Sequence, residues 1–151
     1  MAPVDAFDYI DRALLDSDIH KLFSAEQIGF GLSVIYENTC SDLPYCYVST
    51  GDEDRRVIGI QNLRYLYSNF FSRYCSPSAK DIGSNDDGRI GHVCYMFWDV
   101  FVLYPGNATD AMVHAALQVM DDAINSTNEH CIVSAVHGLG HWVFEAPDAR
   151  R

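Results

Sequence analysis

Val57, Ile60, Leu63, Tyr67, Phe70 and Tyr74 recur at intervals of three and four. That rhythm sets them along one side of an α-helix of about five turns, and such a stripe has to be buried against other helices. Further segments repeat it. Val4, Phe7, Ile10 and Leu14 mark the first, with Asp5, Asp8 and Asp11 near a start where carboxylates suit the helix dipole. Ser24 and Gln27 read as a capping box ahead of Ile28, Leu32 and Ile35, although Gly29 and Gly31 weaken this helix and 28–36 could also be read as strand. Thr50 and Glu53 form a similar box before the Val57 stripe.

The fourth segment, from about Arg89 to Tyr104, is apolar nearly all round, which predicts a central helix stopped by Pro105 and Gly106. Asn107, with Asp110 three residues on, reads as the cap of the fifth, whose apolar side is Met112, Ala115, Ala116, Val119 and Ala123. After a short turn at 125–128 the sixth runs from about Glu129 to Glu145, with Pro147 beyond it. The fifth and sixth read as an antiparallel helical hairpin. The expectation is one all-α domain over 1–151, with about six helices arranged as antiparallel hairpins. The loop at 76–88 is rich in Ser, Asp, Gly and Asn and is too short to separate two domains.

Charge narrows the function. The net charge is −11, with 21 acidic residues against 10 basic ones. Phosphate backbones need a basic surface, so no nucleic-acid partner is expected. Arg55, Arg56 and Arg64 are the nearest approach to a basic cluster, and the acids at Asp52, Glu53 and Asp54 make them a solvated face with local ion pairs. No apolar run reaches the roughly 18 residues of a membrane span, and no signal-like leader opens the chain, so no membrane is expected and the location is read as cytoplasmic. Five cysteines without a C-x-x-C pair then read as reduced thiols, with Cys94 and Cys131 as packing residues. Nine Tyr, eight Phe and two Trp exceed what a core of this size needs, so some should line a groove, a pocket or a subunit contact.

A weak repeat runs through the chain. Gly29, Gly31, Val34 and Ile35 echo Gly138, Gly140, Val143 and Phe144, and His92 is echoed 38 residues later by His130. Two helices in roughly 40 residues is the scale of helical arrays. The run Cys131, Ala135, Gly138, Leu139, Gly140 resembles the second helix of a HEAT-type repeat. The likeness covers that helix well and the rest by rhythm, and it departs from the family at His137, at His141 and in the 76–88 loop. It implies a HEAT-like stack that acts as a binding scaffold without catalysis; an irregular six-helix bundle fits the same helices.

The sixth helix carries the pattern closest to chemistry. At roughly 100° per residue, His130, His137 and His141 fall within about 40° of one another. Ser134 and Glu145 share that stripe, with Ile132, Ala135, Val136, Leu139 and Val143 opposite. Imidazoles at i and i+4 can present two nitrogens to one ion. His130, Glu145 or Asp99 could complete the set, because the 38-residue echo brings Asp99 level with His137. Two His and a carboxylate suit zinc or iron. The general-base Glu of H-E-x-x-H is absent, since Gly138 follows His137. The same residues also fit a polar surface stripe without a ligand.

Three functions therefore stand open. One is a non-enzymatic binding module without a cofactor, which holds a protein partner or its own copy on an aromatic-rich face including His92, Tyr95, Trp98 and Trp142. Another is a metal-binding protein or metal-dependent enzyme built on His137 and His141. A third is a small-molecule binder with an aromatic pocket between helices.

Overall fold

The computed structural model describes residues 3–49 and 51–145, with side chains for 6–49 and 51–144. The described residues are helical, without strands. The long helices are α1 (Pro3–Leu15), α3 (Ala25–Tyr36), α5 (Glu53–Leu66), α7 (Gly88–Val100), α8 (Asp110–Ile124) and α9 (Glu129–Glu145). They match the six expected. Short helices add to them: α2 (Ile19–Leu22), α4 (Cys46–Ser49) and α6 (Ser72–Tyr74). None is long and apolar enough to cross a membrane.

The helices form a bundle. α7 packs on α3 and α9, α8 on α9 and α5, and α1 on α5. The circuit closes through α4 and the 3₁₀ turn Leu43–Tyr45, which touch α1, α5 and α3. The α8–α9 hairpin is present as expected, whereas α3 finds its most extensive partner in α7 and α5 finds its own in α8. Between α5 and α6 the chain winds as one wide π turn, Tyr67–Phe71, which touches α1, α7 and α9.

Local chemistry explains most boundaries. The Ser24–Gln27 capping box forms as expected, with the Ser24 hydroxyl accepting from Gln27 N–H at 3.2 Å and the Gln27 carbonyl from Ser24 N–H at 2.9 Å. The cap of α5 is Asp52, which accepts from Arg55 N–H at 2.8 Å; Thr50 lies outside the described residues. Thr109 caps α8, and Asn107 instead holds the turn before it, bonding Tyr104 N–H and Val102 carbonyl. The fourth segment stops at Val100, four residues early, because the chain turns extended at Phe101. Arg55 reaches across to Asp11 at 2.9 Å and Asp8 at 3.3 Å, so its ion pairs join α5 to α1 and are not local.

About half of the aromatic side chains go inward. Phe7, Tyr36, Tyr47, Tyr67, Phe70, Phe71, Phe97, Trp98, Phe101 and Trp142 are all buried. Their rings meet mostly edge to face, as in Phe7–Tyr47 at 5.0 Å and Tyr67–Phe71 at 5.1 Å, the arrangement their quadrupoles favour. Trp98 and Trp142, expected on an exposed binding face, are core residues with only 4% of their surface accessible.

Candidate metal centre

The candidate site lies where α7 crosses α9. The buried side of α9 is made by His130, Cys131, Ser134, Ala135, Gly138 and Trp142. That differs from the apolar side read from the sequence: Val136 and Val143 are exposed, at 54% and 43%. Small residues win this contact because the helices approach closely. A Cβ at Gly138 would lie 2.5 Å from Cγ and Cδ1 of Trp98, so only glycine fits there.

A chain of buried hydrogen bonds fastens the crossing. The Trp98 indole N–H donates to the Tyr67 hydroxyl at 2.9 Å. Tyr67 pairs with the Ser134 hydroxyl at 2.7 Å, and Ser134 donates to the Cys94 carbonyl at 2.5 Å. Each hydroxyl is used, so the network is satisfied without water. Burial pushes the Tyr67 phenol well above its ordinary range and keeps it a donor. Cys94 and Cys131 are fully buried nearby, in keeping with packing roles. The Cys131 thiol is drawn down to about 7, first by its hydrogen bond with Cys94 and then by Ser72 and Ser126, while burial opposes them.

The start of α9 is clamped as firmly. Asn128, which no sequence pattern singles out, caps it by accepting from His130 N–H at 2.9 Å, and its amide donates to the Cys75 carbonyl at 3.2 Å. His130 has no accessible surface. Its Nδ1 faces the Ser76 carbonyl at 2.9 Å and its Nε2 faces Asp87 Oδ1 at 2.5 Å. His130 is therefore not a ligand beside His137 and His141. It sits on the same stripe, but the 76–88 loop folds over that end of the helix and takes both of its nitrogens.

Toward the other end of α9, the expected cluster assembles. Asp99, near the end of α7, meets His137 and His141. His137 Nε2 lies 3.0 Å from Asp99 Oδ2, and His141 Nε2 lies 3.0 Å from Asp99 Oδ1. The two Nε2 atoms are 2.9 Å apart, with the rings stacked at 4.9 Å. Tyr95 sets its ring edge-on to His137 at 4.6 Å. The Asp99 and His137 side chains are 17% and 22% exposed, and His141 is 54% exposed, so the cluster is walled on one side and open on the other.

The remaining candidates fall elsewhere. His92 is exposed on α7, about 10 Å along the helix from Asp99, and is not part of the cluster. Glu145 ends α9, and its side chain lies outside the described residues. Beside the cluster opens a cleft of about 370 Å³ lined by Trp98, Asp99, Phe101, Tyr104, His141 and Trp142. Trp98 and Trp142 pack edge to face at its base, with centroids 5.7 Å apart.

No protein family, no curated protein and no solved structure matches this chain.

Proposed function

We propose that this chain binds a divalent first-row transition metal, zinc or iron(II), through Asp99, His137 and His141. The observation that carries the reading is the convergence of two imidazole nitrogens and both oxygens of one carboxylate from two helices. Protons cannot satisfy all three contacts. Pairing both histidines with Asp99 needs an N–H on each Nε2, and those two N–H groups would then oppose each other across 2.9 Å. With a cation between them, all three groups offer lone pairs.

The spacing suits such an ion. Metal–donor bonds of about 2.1 Å imply donor–donor separations of about 3.0 Å at right angles and about 3.4 Å in a tetrahedron. The imidazole nitrogens are 2.9 Å apart and each lies 3.0 Å from a different oxygen of Asp99, contacts of the size that two histidines and a carboxylate make around one ion. Three protein ligands leave further positions open, as in sites that bind or activate a small molecule, whereas structural zinc sites are closed by four.

Tag-free protein equilibrated with zinc or iron(II) and then dialysed is expected to hold about one ion per chain. A His137→Ala/His141→Ala variant should lose at least about 100-fold in affinity. Metal at about 100 times its Kd should stabilise the parent by about 2.7 kcal/mol and raise Tm by roughly 5–10 °C, with no change in the variant. Equal metal content in parent and variant, or none in the parent, would overturn the reading.

A further inference from the structure

We infer that the cleft beside this centre admits a small aromatic acid, which completes the metal's coordination with its anionic oxygen. The inference rests on the metal reading above. Asp99 and His141 belong to the cleft wall as well as to the cluster, so a molecule in the cleft adjoins the positions that the three side chains leave open.

Charge selects an anionic donor. A divalent ion held by one carboxylate and two neutral imidazoles leaves one unbalanced positive charge, and among the described residues no Lys or Arg lines the cleft. An anion is therefore recruited by the metal itself. Shape and chemistry select an aromatic body. The other lining residues are Trp98, Phe101, Tyr104 and Trp142, all aromatic, and the volume of about 370 Å³ lies at the small end of small-molecule sites. Faces and edges of rings favour another ring over an aliphatic body of equal size.

Salicylate is the probe, with cyclohexanecarboxylate and acetate as controls, titrated by calorimetry into protein whose metal content has been measured. The cobalt(II) form gives an independent visible-spectrum readout of ligation. Metal-loaded protein should bind salicylate about tenfold more tightly than either control, and metal-free protein should lose that binding. Tyr104 is 47% exposed, so Tyr104→Ala should fold, hold metal as the parent does, and bind salicylate roughly tenfold more weakly. Trp142→Leu should act in the same direction. A parent that holds metal yet takes acetate as well as salicylate overturns this inference alone, as does a Tyr104→Ala variant with undiminished affinity. A parent that holds no metal overturns the metal reading and this inference with it.

Discussion

Asp87→Ala is expected to lower stability by about 2–3 kcal/mol, the loss that follows when a buried hydrogen-bonding group is left without its partner. His130 has no accessible surface and the Asp87 side chain only 6%, so water cannot replace the lost acceptor. The carboxylate also accepts from Gly83 N–H at 3.0 Å, and one substitution therefore releases both the loop and the start of α9. Gly91→Ala should reproduce much of the loss without altering the identity of either partner, because its Cβ would fall 1.9 Å from Asp87 Oδ1 and displace that carboxylate. Urea unfolding reads the effect as a lowered midpoint at unchanged slope. A loss below about 1 kcal/mol for Asp87→Ala would mean that the pair contributes no more than a surface one.

Two glycines on α9 should answer alanine with opposite signs. Helix propensity alone favours alanine by up to about 1 kcal/mol at each. At Gly140 nothing lies within 4 Å, so Gly140→Ala should stabilise by up to that amount. At Gly138 the new methyl meets Trp98 at 2.5 Å, against a ring fixed by Tyr67 and Trp142. Overpacking there costs about 1–3 kcal/mol, enough to reverse the sign. The functional effect should be larger than the stability effect. His137 adjoins Gly138, so lifting α9 from α7 parts His137 and His141 from Asp99. We expect metal affinity to fall at least about tenfold although no ligand is altered. Metal titration beside thermal unfolding tests this, and a Gly138→Ala protein that behaves like Gly140→Ala would refute it.

Much of this arrangement is legible in the chain. The helices follow from their apolar rhythm, and the bounds Glu129–Glu145 are those expected. A 38-residue offset brings Asp99 level with His137, and the packing of α7 on α9 makes that neighbourhood real. The features that the pattern misses have a common cause. Hydrophobicity marks the buried face of a helix only where large side chains fill the gap, and here Gly138, Ser134 and Ala135 are buried because the gap is narrow. His130 reads as equivalent to His137 because periodicity reports direction around a helix, not what covers it along its length. Trp98 and Trp142 read as part of an exposed face because composition carries no packing. The caps at Thr109 and Asn128 compete with neighbouring Asn and Ser residues that could do the same work.

The wide turn at Tyr67–Phe71 holds one residue more than an ordinary helical turn, and Tyr67, Phe70 and Phe71 all point inward from it. A chain shortened by one residue here would wind as plain α-helix and rotate α6 by about 100° relative to α5. The Tyr67 hydroxyl could then no longer meet Trp98 and Ser134 while the phenylalanines kept their places. Length, as much as residue identity, is thus under constraint in this segment, and a deletion tolerable in a surface loop would here give the same composition a different interior.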